Sequence, residues 1–142
     1  MKIQIISDYH FSKKIYNLNN SSSVRNNSIN KKKFEYKDHL IWFNKLINSK
    51  NKNGYLIFAN KKLVGFIKTF KYKNYVNISW SVFKNMRSKG NGKKMLKLFT
   101  TKFPNKYKAK IMKSNNPSIK VCLYANFEIY LKRNNIFYFR NY

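Results

Sequence analysis

The sequence predicts an α/β domain in which helices flank one central, mixed sheet whose strands are mostly antiparallel. The first observation is a run of three strand-like segments, residues 55–59, 63–70 and 75–83, joined by short turns. The second is a switch to helical spacing after this meander, carried by four apolar residues: Met95, Leu96, Leu98 and Phe99. The third is a further alternation of strand and helix signals toward the C-terminus. We expect residues 1–142 to form one domain.

The residues before the meander predict one strand and one helix. Residues 2–6 have the pattern of a short strand, and the Asn- and Ser-rich residues 17–30 lack an apolar period and predict a loop. Asp38 stands where a helix dipole favours a carboxylate, and Gly54 is expected to end this unit. One face of the predicted helix holds five residues: His39, Trp42, Phe43, Leu46 and Ile47.

The remaining elements follow from turn and helix-start signals. Asn60-Lys61-Lys62 marks the first hairpin turn of the meander. Residues 107–112 predict a strand, and Pro117 occupies a favourable first-turn position of the next helix. A closing hairpin, residues 127–131 and 136–139, is expected around the pair Asn134-Asn135.

Composition limits the protein classes that fit. With 43% hydrophobic and 18% aromatic residues among 142, the chain is expected to fold around a core. No apolar stretch is long enough for a membrane span, and no signal peptide is recognisable, so we expect a cytoplasmic protein. The single cysteine, Cys122, excludes an internal disulfide, and two histidines with four acids predict no structural metal.

The formal charge of +27 raises the question of nucleic-acid binding. Most of the 31 basic residues are lysines spread along the whole chain, and a genome rich in A and T explains much of this composition. Nucleic acid is therefore an unlikely partner. The scarcity of acids leaves open a preference for anionic ligands, acidic partners or a membrane surface. Only four of the basic residues are arginines: Arg25, Arg87, Arg133 and Arg140.

The segment between the meander and the next helix is a candidate phosphate cradle. Arg87-Ser88-Lys89-Gly90-Asn91-Gly92 contains two of the four glycines, and Lys93 and Lys94 follow it. A glycine-containing turn that opens a helix exposes backbone N–H groups at the positive end of the helix dipole, which suits a pyrophosphate. An ordinary strand-to-helix turn is the alternative.

Two motifs resemble the Gcn5-related N-acetyltransferases, the GNAT superfamily. Val82 to Gly92 is similar to the family's acetyl-coenzyme A signature, Arg/Gln-x-x-Gly-x-Gly/Ala, and Asn115-Asn116-Pro117-Ser118 followed by Ala125-Asn126-Phe127 resembles its Asn-x-x-Ser helix. The resemblance implies a sheet of about six to seven strands that splays between strands 4 and 5. It also implies transfer of an acetyl group from acetyl-CoA to a primary amine without a metal. By this resemblance, acetyl-CoA is bound by Val82, Phe83, Arg87, Ser88, Lys89, Gly90, Asn91, Gly92, Lys93, Asn115 and Ser118.

The N-terminal third resembles acetyltransferases of bacterial surface sugars, including those of pseudaminic-acid pathways. The similar segments are Ser23 to Ser28 and Asp38 to Phe43. This implies a small-molecule acceptor, a nucleotide-linked amino sugar, with Arg25 and Trp42 as substrate-binding residues. A solvated loop arginine and a core tryptophan are the structural alternatives.

The groups that would move protons depart from the family pattern. Many members carry a glutamate on strand 4, where this chain has Asn77, Ser79 and Ser81. Many also place a tyrosine five residues before the motif phenylalanine, where this chain has Cys122. These departures leave His39 as the expected base and Tyr124 as an expected acid.

Two other functions and two assembly states stay open at this stage. Acetylation of a protein N-terminus or lysine would fit the basic surface through a preference for acidic peptides. A non-enzymatic nucleic-acid binder would show steep salt dependence and no protection by coenzyme A. Either a monomer or a homodimer fits the sequence.

Overall fold

The computed structural model describes residues 1–142 and contains one seven-stranded sheet. The strand order is β1-β2-β3-β4-β5-β7-β6, and all neighbours are antiparallel except β4 and β5, which run parallel. This confirms the predicted mixed, mostly antiparallel sheet. The strands are β1 Lys2–Ile5, β2 Lys52–Ala59, β3 Lys62–Tyr72, β4 Tyr75–Val82, β5 Tyr107–Met112, β6 Glu128–Arg133 and β7 Ile136–Arg140.

Five α-helices and one short 3₁₀ helix connect these strands. The helices are α1 Ser12–Asn19, α2 Ser22–Asn26, α3 Tyr36–Asn48, α4 Asn91–Lys102 and α5 Asn116–Tyr124, with the 3₁₀ turn at Lys84–Met86. No helix of the chain has the length and apolarity needed to cross a membrane.

Two sequence-based predictions about the N-terminal third are wrong. Residues 17–30 are not a loop throughout, because the end of α1 and the whole of α2 fall within them. Ile15 and Leu18 give α1 a buried face. Ile15 lies before residues 17–30, so Leu18 alone does not produce an apolar period within that polar stretch. Gly54 does not end the helical unit, since it lies inside β2. A Cβ atom there would stand 2.7 Å from Leu46 Cδ2, so Gly54 lets α3 pack close to the sheet.

Alternation along the strands builds a core on each face of the sheet. Ile67 belongs to the larger core, under α4 and α5, which includes Met95 and Phe139. Its neighbour Phe66 belongs to the smaller core, under α1 and α3, which includes Phe43. Because adjacent β3 residues serve opposite cores, a one-residue slip of this strand would disrupt both.

The sheet opens between β4 and β5. The two strands pair only at Val76 with Tyr107 and Asn77 with Lys108, and β5 then continues against β7. The Val76 N–H donates to Lys106 O across the paired part, whereas the Phe83 N–H donates to Val64 O on the other side. Backbone groups alternate along a strand, so those of Trp80 and Val82, beyond the last β4–β5 pair, face the opening.

Candidate active site

An open cleft of about 530 Å³ lies where the α2–α3 region faces the opened sheet. Ser79 and Ser81 of β4 line it, so the strand-4 positions without an acid do face the cleft. Five residues predicted from the sequence line it as well: Arg25, His39, Trp42, Asn115 and Ser118. Val82, Phe83, the loop 87–93 and Tyr124 are outside this lining.

The charged side chains that line the cleft are mostly cations. Arg25, Lys68 and Lys110 contribute three positive charges, and Asp38 contributes the single carboxylate. The one ion pair within 4.0 Å in the whole chain joins Lys37 to Glu35, on the exposed surface. The cations of the cleft therefore have no carboxylate in contact. A ligand with negative charge would give them a partner of opposite charge.

Lys68 is the least solvated of these cations. It projects from β3, opposite Ser79 of β4, and its Nζ lies 5.4 Å from the centroid of the Trp42 ring. Burial lowers the Lys68 pKa, and the positive charges of Arg25 and Lys52 lower it further. A bound anion would reverse this effect by stabilising the ammonium.

Arg25 organises the segment that closes the cleft. Its Nε donates to Asn19 O at 2.7 Å, and its Nη1 donates to Asn30 O at 2.9 Å. Its guanidinium also lies 5.3 Å from the Phe34 ring centroid. Arg25 thus ties α1 to the residues before α3, and burial lowers its pKa.

His39 is buried in an aromatic environment, with 1% of its surface exposed. Its Nε2 lies 3.0 Å from Ser12 Oγ, and its Nδ1 is buried without a hydrogen-bond partner. The rings of Phe34 and Tyr36 stack on the imidazole, and Trp42 lies 5.6 Å away. Burial is the main cause that lowers the His39 pKa, so the neutral ring predominates near pH 7. A substrate could reach this ring only after the surrounding side chains moved.

The loop before α4 has the backbone of an anion cradle. Ser88 and Gly90 have left-handed φ angles of 61° and 73°, and Gly90 is the N-cap residue of α4. No side chain caps this helix, so the N–H groups of its first turn stay available to a ligand. The space above Gly90 is empty, whereas a Cβ at Gly92 would lie 3.0 Å from Val121 Cγ2. Gly92 therefore seats α4 against α5, and Gly90 leaves room for the ligand.

Side chains of the same loop hold its shape. Arg87 Nε donates to Val82 O at 2.8 Å, and its Nη1 donates to Ser23 Oγ at 2.9 Å. Asn91 Nδ2 donates to Met86 O at 2.9 Å, and Lys89 Nζ donates to Asn85 O at 3.3 Å. Arg87 also occupies one backbone carbonyl of the opened strand, a contact that the motif did not predict.

Asn115 caps the helix on the far side of the opening. Its side-chain oxygen accepts from the Ser118 N–H at 3.4 Å, and its Nδ2 donates to Asn27 O at 3.4 Å. Both contacts are long, so the Asn115 amide could exchange them for contacts to a ligand in the cleft. The start of α5 therefore meets the α2–α3 segment across the cleft.

Cys122 and Tyr124 occupy opposite environments on α5. Cys122 is fully buried, and burial raises the pKa of its thiol far above its ordinary value. Tyr124 is 47% exposed on the outer side of α5, with Lys97 Nζ 4.9 Å and Lys93 Nζ 5.7 Å from its ring centroid. The structure thus places Tyr124 beside the loop lysine Lys93 and away from the cleft lining.

Sequence reasoning missed three residues of this region. Lys68 and Lys110 alternate with buried neighbours on β3 and β5, so the sequence shows that both lie in strands. It does not show which face of the sheet carries the cleft. Val121 was missed because its contact with Gly92 depends on how α4 and α5 pack.

The lowered pKa of His39 predicts a specific pH dependence of stability. The unfolded chain binds a proton near the ordinary pKa of 6.5, and the folded chain binds it only at lower pH. The free energy of unfolding should therefore be highest above pH 7 and fall as the pH decreases through 6. Urea unfolding between pH 5 and 8 measures this. His39→Phe should flatten the decline, and His10→Asn, which removes the exposed histidine, should keep it. An unchanged decline in His39→Phe would contradict the buried, neutral ring.

Comparison with known proteins identifies the fold. No family model and no curated protein matches the sequence. Among solved structures, the spermidine N-acetyltransferase of Vibrio cholerae in complex with CoA and spermine is similar at a TM-score of 0.78 and 12% identity, over 98% of this chain and 92% of that one. A GNAT-family acetyltransferase of Bacillus anthracis gives 0.74 and 18%, over 99% and 94%.

A third similar structure is the N-acetyltransferase PseH of Campylobacter jejuni in complex with acetyl coenzyme A. Its TM-score is 0.72 at 19% identity, over 98% of this chain and 97% of that chain. All three matches extend over nearly the whole chain. The chain has the fold of the GNAT acetyltransferases.

Proposed function

We propose that the protein is an N-acetyltransferase that moves an acetyl group from acetyl-CoA to the primary amine of a nucleotide-linked amino sugar used in surface glycan biosynthesis. The observation that carries this proposal is a cationic cleft that opens beside unpaired strand backbone and an uncapped helix start. The first feature suits an anionic acceptor, and the other two suit acetyl-CoA. Both substrates are cytoplasmic metabolites, so we place the reaction there.

The residues around the loop fit the pyrophosphate of acetyl-CoA. The backbone N–H groups from Ser88 to Lys93 would hold it at the start of α4, with Lys89 and Lys93 adding positive charge. The empty space above Gly90 gives the phosphates access to these amides. When bound, acetyl-CoA supplies the acetyl group as an activated thioester.

The opened strand would align the rest of the donor. The backbone groups of Trp80 and the Val82 N–H face the opening and have no partner in β5, while the Val82 carbonyl is held by Arg87. We propose that they bind the pantetheine arm and that an N–H there stabilises the negative charge that develops on the thioester oxygen. Asn115 and Ser118 stand across the opening for the same ligand.

Asp38 is the general base that we propose for the acceptor amine. As the one carboxylate in the cleft, it can bind the ammonium form and accept its proton, directly or through water. The amine nitrogen then attacks the carbonyl carbon and loses its second proton to solvent, the carbon–sulfur bond breaks, and the departing thiolate takes a proton from solvent. His39 is proposed as a positioning residue, because its buried ring supports Trp42 from behind.

The charge of the cleft argues against a polyamine acceptor. Three cations and one carboxylate leave a positive surplus, and each additional ammonium of a polyamine would meet it. Such repulsion costs about 1 to 4 kcal/mol for two charges at about 4 Å near a protein surface. A diphosphate linked to an amino sugar would turn the same cations into attractive partners.

Acetyl-CoA should stabilise the protein against heat, by about 9 °C when the ligand is at about a hundred times its Kd. Differential scanning fluorimetry measures the shift.

Gly90→Asp should weaken acetyl-CoA binding about tenfold or more, since it places a carboxylate beside the pyrophosphate.

Gly90→Asn is the matched control for this variant. It has nearly the same size and tolerates the same left-handed φ of 73°, but it adds no charge. It should bind acetyl-CoA almost as well as the native protein. If the native protein is not stabilised at saturating acetyl-CoA, the acetyltransferase proposal is wrong.

Asp38→Asn should lower kcat/KM about tenfold or more, because a hydrogen bond to a charged partner contributes about 1.5 to 3 kcal/mol. The assay follows free thiol released from acetyl-CoA with a UDP-linked amino sugar as acceptor. Glu35→Gln removes a carboxylate that precedes the same helix but lies outside the cleft, and it should leave kcat/KM within about twofold. Equal activity of both variants would exclude Asp38 from this role.

A further inference from the structure

The open sheet face beyond the cleft carries tyrosines interleaved with cations. These side chains come from β4, β5, β7 and β6, which are adjacent in the sheet. In register, Lys110 stands opposite Tyr138, and Lys108 stands opposite Arg140. We call this set the tyrosine strip: Tyr75, Lys108, Lys110, Tyr130, Tyr138 and Arg140.

Each cation of the strip lies against a ring. Lys108 Nζ is 4.1 Å from the Tyr75 centroid and 5.2 Å from that of Tyr130. Lys110 Nζ is 5.6 Å from the Tyr138 centroid, and the Arg140 guanidinium is 5.0 Å from that of Tyr130. The strip therefore presents positive charge and aromatic rings side by side.

The strip is accessible and continuous with the acceptor cleft. Tyr130 is 37% exposed, and Lys110 and Arg140 are exposed. Lys110 also lines the cleft, so it joins the two surfaces. A ligand with its reactive end in the cleft can extend over the strip without leaving the protein surface.

The charge of the strip is not balanced within the protein. None of its cations has a carboxylate within 4.0 Å. Glu128 stands opposite Arg140 in register and makes the far end of the strip less positive. Phosphates are therefore favoured at Lys108 and Lys110, the end nearer to the cleft.

We propose that the tyrosine strip binds the nucleoside diphosphate part of the acceptor, with the phosphates at Lys108 and Lys110 and the base against Tyr130 and Tyr138. This assignment rests on the proposed function and adds the residues that recognise the carrier. Bases stack on aromatic side chains, and ammonium groups bind phosphates.

The width of the strip selects one nucleotide over a nucleic-acid strand. From β4 to β6 there are three strand spacings of about 4.8 Å, or about 14 Å in all. Proteins that bind single strands without sequence preference contact at least about four nucleotides. A single nucleoside diphosphate that points its sugar into the cleft fits this length better.

The experiment is a calorimetric titration of the protein saturated with CoA. Saturation is needed because CoA itself contains a diphosphate, so the loop before α4 must be filled before another nucleotide is added. UDP, CDP, ADP and GDP are compared with uridine and inorganic pyrophosphate. At least one nucleoside diphosphate should bind about tenfold more tightly than uridine and pyrophosphate, since only it engages both rings and cations.

Substitutions in the tyrosine strip test whether the nucleoside diphosphate binds there. Tyr138→Ala and Lys108→Ala should each weaken the best nucleoside diphosphate about fivefold, and the double variant should weaken it about tenfold or more. Tyr138→Phe keeps the ring and should bind normally. Lys45→Ala removes an exposed lysine of α3 that lies outside the strip and should also bind normally. Thermal unfolding of each variant checks that the fold is intact.

Three outcomes would overturn the assignment. The first is that no nucleoside diphosphate binds. The second is that pyrophosphate binds as tightly as the best nucleotide and that Tyr138→Ala does not weaken this binding. The third is that only a single-stranded eight-nucleotide oligomer binds. If acetyl-CoA still stabilises the protein in any of these cases, the acetyltransferase proposal stands while the assignment of the strip fails.

Discussion

β4 and β5 hold together over only two residue pairs and then separate, and the rest of the candidate site depends on this separation. Where they pair, Val76 and Asn77 keep the sheet continuous. Where they part, the backbone of β4 is free on one side at Trp80, beyond the last pair, and the cleft forms above it. A sheet edge inside a domain is unfavourable unless another chain or ligand pairs with it. The opening is therefore best explained as a place for an extended ligand, and the uncapped start of α4 at its end is suited to that ligand's phosphates.

The charge around the opening determines which kind of ligand suits it. The four acids of the chain are too few to neutralise its 31 basic residues, and most of those lysines are solvated on the surface. Burial separates Lys68 from the others, because a lysine that is partly removed from water and has only cations nearby loses stability in its charged form. The proposed acceptor, which carries negative charge, would stabilise the charged form again. Lys110 and Lys108 of β5 also have no carboxylate within 4.0 Å, and these cations already lie against tyrosine rings.

More of the fold than of the candidate site could be predicted from the sequence. Strand alternation, the turn at Asn60 and the glycines of the loop are local signals, and the meander, the strand at residues 107–112 and the final hairpin followed from them. The helices α1 and α2 were missed because Asn and Ser dominate their local composition, while Ile15 and Leu18 gain their burial from distant segments. The site depends on packing between elements. Nothing local to His39 shows that Phe34, Tyr36 and Ser12 enclose it, and nothing local to Lys68 shows which face of β3 meets the cleft.

In the proposed function, a cationic cleft beside the opened strands selects an amine that carries negative charge. The most direct measurement is the rate of acetyl transfer from acetyl-CoA, at one fixed concentration, to three amines: a UDP-linked amino sugar, the same amino sugar without the nucleotide, and spermidine. We expect acetylated product from the UDP-linked sugar at the highest kcat/KM, a lower value for the free sugar, and the lowest for spermidine. Faster transfer to spermidine than to the UDP-linked sugar would contradict it.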